Sequence, residues 1–357
     1  MARGLGSINL SLEYSKRYMI LGLIVGIAAY AVIFLYIYKG HFLEFFAIIS
    51  HGNAEDAAIA YVARVAAIVC HALAWWMVIR LFRKGVSPLK ILEITFAAIF
   101  VEFIVPIGGA TEVAKLFLIL KMKVLNREEG VASILIHRIL ISGAILVTTL
   151  ISLFLIWAPP ALFIFLGIPA GVLCAMNAGV YVLPKSKRVE KLAHRILSRF
   201  GVSVEGFAES YKRCLAKVKK NWKFLIPAIL FAFGERFSNA VFGIGVGGIA
   251  GVHLTLPQAF LTFDSLYTIL WLLPAITPGG IGIYEFIQTL LLSYIGIRVQ
   301  EAATMSIISR IYYVVGEYPL FIAAVAGLGY SVRGFLRQAL KAKPKESPPP
   351  KAGPSSG

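Results

Sequence analysis

Six charged side chains stand in stretches that are otherwise almost wholly apolar: Arg64, Glu112, Arg138, Arg236, Glu285 and Arg310. A charged group in hydrocarbon costs about 2.5 to 3.5 kcal/mol on insertion scales, so it is kept where a partner, water or a ligand compensates. Four arginines to two glutamates leaves an excess of planar, bidentate donors, the chemistry that holds a phosphate. In a resting state each glutamate pairs with an arginine and releases it when a phosphate or a coupling cation arrives. The competing reading is that these pairs only staple neighbouring helices. Five further polar residues are secondary candidates. Glu102, Asp264 and Glu317 are carboxylates able to carry a proton or bind a cation, while Glu235, with Asn239 one turn on, either extends the site around Arg236 or neutralises it.

The spacing of these residues is an internal repeat. An offset of 172 carries Arg64 onto Arg236, Pro106 onto Pro278, Gly108 onto Gly280, Glu129 onto Glu301 and Arg138 onto Arg310, with no gap. Glu112 falls one residue short of Glu285, a slip that the extra Gly282 absorbs. Around each glutamate the chain is broken by hinge residues, Pro106, Gly108 and Gly109 in the first copy and Pro278, Gly279, Gly280 and Gly282 in the second. Proline removes a helical hydrogen bond and glycine permits close backbone approach, so helix does not run through either break. The limb after each break is about 11 to 14 apolar residues, short for a membrane crossing, and reads as half of a re-entrant hairpin.

The elements that position these groups are membrane helices. The chain has 357 residues, 59% hydrophobic and 15% charged, a balance that excludes an ordinary soluble domain. Apolar runs read as spans at 18–38, 57–82, 131–157, 161–183, 223–250 and 301–330, with the broken segments 88–123 and 257–296 between them. The first run lacks a small-residue cleavage site and reads as a retained span. The expected fold is therefore all-α and polytopic, about six transmembrane helices plus two re-entrant hairpins, within one membrane domain over residues 1–340. Repeat one covers about 57–157 and repeat two about 223–330. Three crossings separate equivalent points, and an odd number inverts the second copy, the build of transporters whose halves rock about a central site.

The net charge of +17 comes from Lys and Arg between the spans, which points to topology rather than to nucleic acid. With both termini cytoplasmic, Arg80, Arg83, Lys84, Lys121, Lys123 and Arg127 all fall inside, and the hairpins enter from opposite faces. Residues 184–222 form a basic amphipathic cytoplasmic segment suited to anionic headgroups, and 341–357 a Pro-, Lys- and Ser-rich disordered tail. Cys70, Cys174 and Cys214 are too scattered for a disulfide framework or a zinc site, so neither metal nor cofactor is expected. His71 and His137 read as satisfied interhelical hydrogen-bonders, and Gly243 to Gly248 as close helix packing. Trp75, Trp76, Trp157 and Trp271 read as a set that includes interfacial anchors. No nucleophile elbow, P-loop or paired metal motif is present, so the chain is not expected to be an enzyme.

The phrase Pro278-Gly279-Gly280-Ile281-Gly282-Ile283-Tyr284-Glu285, followed by Arg310 and preceded by its divergent copy Pro106-Ile107-Gly108-Gly109-Ala110-Thr111-Glu112, resembles the lysylphosphatidylglycerol synthase transmembrane-region family, also called flippase-like. The likeness covers about residues 15–335, and the first copy departs from it by lacking the Gly282 equivalent. It implies an integral membrane protein of lipid translocation or lipid-linked glycan traffic. The soluble aminoacyl-transferase domain of the synthases is missing, so lipid aminoacylation is not implied. Together these readings point to a flippase in the cell membrane that moves an anionic lipid phosphate, on a phospholipid or a polyprenyl carrier. The alternatives are a proton- or cation-coupled transporter of a small anion, and an intramembrane enzyme or accessory subunit of lipid-linked glycosylation. Expected partners are membrane lipids, with a glycosyltransferase or a second copy left open.

Overall fold

The structure, a computed structural model, describes residues 42–50, 52–104, 109–182, 207–272 and 280–331, with single positions at 24, 28, 30, 31, 35 and 334. Every element among them is helical. In chain order they are α1 (Phe42–Ser50), α2 (Ala54–Arg80), α3 (Pro88–Ile104), α4 (Ala110–Lys121) and α5 (Arg127–Leu155). A composite α6 follows, running through Pro160–Leu162, a π turn at Phe163–Gly167 and Ile168–Val182. Then come α7 (Phe207–Lys220) and α8 (Leu225–Ile249). The composite α9 is Leu256–Ala259, a π turn at Phe260–Asp264 and Leu266–Leu272. It is followed by α10 (Ile283–Tyr294) and by α11, made of Val299–Ile311, a π turn at Tyr312–Glu317 and Tyr318–Gly327.

Five helices are long and apolar enough to cross a membrane: 54–80, 127–155, 160–177, 222–249 and 299–327. The chain is a multi-pass membrane protein. These spans match five expected ones to within a few residues. The sixth, at 18–38, lies outside the described residues apart from single positions, as do 184–206 and the tail.

Local chemistry sets the helix starts. Asn53 accepts the Asp56 amide at 2.7 Å and Asn126 accepts the Glu129 amide at 2.9 Å, so α2 and α5 each begin on a side-chain cap with two acids in the first turn. Those acids face the positive end of the helix dipole. By contrast, α4 and α10 are only 12 residues each. At 1.5 Å per residue that is about 18 Å, well short of the roughly 30 Å hydrocarbon layer.

Repeat-equivalent helices α2 and α8 pack along each other through the middle of the molecule. Glycines on α8 make this possible. A Cβ on Gly245 would stand 2.8 Å from the Ala60 nitrogen, and one on Gly248 would strike the Asp56 carboxyl. The α2–α8 pair joins two apolar clusters. One gathers α3, α4 and the end of α11 around Trp75, Leu118 and Phe321; the other gathers α9, α10 and the start of α11 around Phe263, Leu291 and Met305. The basic helix α7 lies against the start of α5, where Cys214 packs on Ala132 and Lys217 Nζ meets Glu129 Oε1 at 2.5 Å.

The tryptophans separate by burial. Trp75, read as part of an interfacial set, is fully buried and donates its indole N–H to Ser133 at 3.3 Å. A buried Trp whose N–H finds a hydroxyl is a core residue. Trp157 is almost fully exposed, whereas the Trp271 side chain lies outside the described residues.

Candidate functional site

The short helices α4 and α10 start alike. Gly109 precedes α4 and Gly282 precedes α10, each at φ +83°, a left-handed backbone that glycine adopts without strain. The glutamate is the third helical residue in both, Glu112 and Glu285. Both helices therefore obey an offset of 173, whereas Arg127 and Val299, which open α5 and α11, are back at 172. The slip is one extra residue before α10, cancelled by a connection after it, 295–298, one residue shorter than 122–126.

Each glutamate grips the arginine of the next long helix. Arg138 on α5 clasps Glu112 in a bidentate fork, Nε to Oε1 at 2.9 Å and Nη2 to Oε2 at 2.6 Å. Arg310 on α11 pairs through Nε with Glu285, which also accepts the Gly282 amide at 2.6 Å and the Tyr30 hydroxyl at 2.9 Å. The pairs differ in access. The side chains of Arg138 and Glu112 are 27% and 23% exposed, those of Arg310 and Glu285 9% and 0%.

The other two arginines are held by a repeated device that sequence reasoning did not find. Of the three π turns in α6, α9 and α11, the last two end on a carboxylate that takes an arginine from the central helix pair. Asp264 binds Arg236 at 2.8 Å, and Glu317 binds Arg64. A π turn inserts one extra residue and re-aims the side chains around it, which is why such turns gather at functional sites. Asn239 bridges the two arginine centres, accepting from Arg64 at 3.0 Å and donating to Asp264 at 3.2 Å. Glu235 also pairs with Arg236.

From Arg64 the network runs on through aromatics. The guanidinium lies 4.3 Å from the Tyr313 ring centroid, and the Tyr313 hydroxyl bonds those of Tyr284 at 2.7 Å and Tyr267 at 3.2 Å. Arg310 stacks over Tyr284 at 5.1 Å. In the opposite direction Glu235 reaches His71 Nδ1 at 3.0 Å, and His71 Nε2 meets Lys115 Nζ at 2.8 Å. Polar contacts therefore run continuously from α10 through the α2–α8 pair to α4.

All six primary candidates are thus paired, and Glu235, Asn239, Asp264 and Glu317 join the same network. Glu102 stands apart from those pairs, at the end of α3, where it accepts from Thr111. Of the hinge residues, Gly109, Gly280 and Gly282 are described and all have positive φ; Pro106, Gly108, Pro278 and Gly279 lie outside the described residues. His71 is the interhelical link expected of it. His137 on α5 also reaches α2, hydrogen-bonded to the His71 backbone with its ring edge-on against His71 at 4.6 Å, while its buried Nε2 has no hydrogen-bond partner among the described residues. Close packing around Gly243 to Gly248 is as expected, with Gly243 against the Phe263 ring.

The residue that sequence reading missed is Lys115. It is 2% exposed and lies 5.1 Å from the Trp75 ring. A signal was available, because Lys115 follows Glu112 by three residues and so shares its helix face. No group of three or more His, Cys, Asp or Glu side chains among the described residues is placed to hold a metal.

No curated protein and no solved structure matches the chain. The description of one family, "Lysylphosphatidylglycerol synthase TM region", matches residues 19–317, a stretch containing the whole network of paired charges. On that match and on its multi-pass helical build, the chain belongs to the lysylphosphatidylglycerol synthase transmembrane-region family, and is a membrane protein of lipid handling.

Proposed function

We propose that this protein is a translocator, not an enzyme, that moves an anionic lipid between leaflets by passing its phosphate along the intramembrane arginines while the acyl or prenyl tails stay in the bilayer. One observation carries this reading. The same arginine–glutamate pair recurs on the third residue of a short, glycine-started helix in each half, reachable in the first half and enclosed in the second. A phosphate offers an arginine the same planar, bidentate acceptor as a carboxylate, so it can displace Glu112 from Arg138 without leaving the cation unpaired.

On this reading α3 with α4, and α9 with α10, are re-entrant hairpins, and the two halves are an inverted repeat. Rocking about the glycine-packed α2–α8 seam exposes first one pair and then the other. The protein sits in the cell membrane with both termini cytoplasmic, and its partners are the lipids it moves. Lengths of about 18 Å for α4 and α10 support the hairpins, since neither limb reaches across the hydrocarbon.

The test is reconstitution in phosphatidylethanolamine and phosphatidylglycerol vesicles carrying a fluorescent phosphatidylglycerol, with leaflet exchange read by dithionite quenching. Wild type should move the label, and Arg138→Ala combined with Arg310→Ala should abolish the movement. Equal movement in both proteins would sink the mechanism. Uptake of a soluble anion with no lipid movement would transfer the site to the small-anion reading, and a chemical change in the lipid would make the protein an enzyme.

A further inference from the structure

Lys115, His71 and Glu235 form a hydrogen-bonded chain across three helices, α4, α2 and α8, at distances of 2.8 and 3.0 Å. The Arg–Glu pairs are shared by both halves, but this chain is not. Repeat-equivalent positions carry Gln288 for Lys115, Gly243 for His71, Ala63 for Glu235 and Ser309 for His137. Translocation symmetric about the two halves needs only what they share. A titratable chain confined to one half has a one-sided task.

The groups facing His71 are Lys115 and Glu112 from α4, His137 and Arg138 from α5, and Glu235 and Arg236 from α8. His71 therefore sits between the Arg138–Glu112 pair and the Arg236–Asp264 pair. Its two ring nitrogens meet an acid on one side and an amine on the other, the arrangement in which an imidazole relays a proton. The His71 and Glu235 side chains remain 18% and 11% exposed.

We propose that Lys115, His71 and Glu235 are a proton-binding site that couples proton passage to the release of Arg236 by Glu235, next to the Arg138–Glu112 and Arg236–Asp264 pairs. The balance is simple. With Lys115 as ammonium, its N–H donates to His71 Nε2, and His71 Nδ1–H donates to ionised Glu235. Passage of the Lys115 proton to Nε2 and of the Nδ1 proton to Glu235 leaves a neutral amine and a neutral acid. Glu235 then releases Arg236 to Asp264 alone, and Glu112 loses a neighbouring cation. A proton arriving at Lys115 from one face resets the ammonium, Glu235 discharges its own to the other, and His71 returns to its Nδ1–H tautomer by exchanging its ring protons with water before the next passage.

Coupling rests on the lipid-translocation reading, but the proton site does not, so two measurements are paired. In the vesicle assay with fluorescent phosphatidylglycerol, a transmembrane pH gradient should speed wild-type exchange several-fold. His71→Gln still bridges by hydrogen bonds but has no titratable ring; it should keep the gradient-free rate and lose the acceleration. A gradient effect that survives His71→Gln, or wild-type exchange indifferent to the gradient, overturns the coupling. The second measurement is ¹⁵N-histidine NMR of the full chain in nanodiscs, with His71 assigned by its loss in His71→Gln. Removing the anion with Glu235→Gln should lower the His71 titration midpoint, and removing the cation with Lys115→Gln should raise it, each by about one pH unit. A midpoint moved by neither change overturns the site. If both shifts occur while wild type moves no labelled lipid, the lipid cargo falls and the proton site stands.

Discussion

The first and second halves solve one electrostatic problem with different degrees of enclosure. In the first, Arg138 and Glu112 meet in a fork that keeps about a quarter of each side chain accessible. In the second, Glu285 is wholly buried, and Arg310, the Gly282 amide and Tyr30 all contact it. The comparison teaches that repetition fixes the pairing but not the access. Flanking residues have diverged accordingly: the first half surrounds its pair with Lys115, His71 and His137, the second with Tyr284, Tyr313 and Tyr267.

Breaking the enclosed pair is expected to have the largest effect on stability. Glu285→Gln or Arg310→Met strands a buried charge and should cost about 3 to 5 kcal/mol. The same changes at Glu112 or Arg138 should cost about 1 to 2 kcal/mol, between the exposed and buried limits. Thermal unfolding in detergent measures both, and equal losses would erase the distinction between the halves.

Next comes the seam about which the halves are compared. Gly245→Val drives a side chain into the α2 backbone at Ala60 and should cost about 1 to 3 kcal/mol. Gly171→Ala, on α6 with no atom within 4 Å of the added Cβ, is the control and should change little. If the two substitutions unfold alike, α2 and α8 are not tightly joined.

The smallest effect is expected outside the repeat. Lys217→Ala removes a pair in which the lysine is about half exposed, and should shift stability by less than about 1 kcal/mol. A larger loss would show that α7 holds the first half in place rather than resting on it.

Much of this was legible in the sequence. Long apolar runs located the five described spans because hydropathy and length suffice for a bilayer. The 172-residue offset gave each arginine its counterpart, and the hinge glycines located the starts of α4 and α10. What stayed hidden depends on contacts across the chain. Arg64 and Glu317 are 253 residues apart, and nothing local says that they meet. The π turns ending at Asp264 and Glu317 left no periodic trace, because one inserted residue does not change the hydrophobic character of a span. Lys115 escaped notice because its repeat equivalent is the uncharged Gln288, so the pairing of charges does not mark it, although its spacing from Glu112 already placed it on the same helix face. Which of the four tryptophans is buried was not legible either, because the partner of Trp75, Ser133, lies on another helix.

The inverted relation of the halves is tested most directly by thiol labelling at equivalent positions. Ala110→Cys and Ile283→Cys stand first in α4 and α10, in a chain whose Cys70, Cys174 and Cys214 are replaced by alanine. With a membrane-impermeant maleimide applied to either side of sealed vesicles, position 110 should label from the cytoplasmic face and position 283 from the opposite face. Labelling of both positions from one face only, under every condition, would contradict the account.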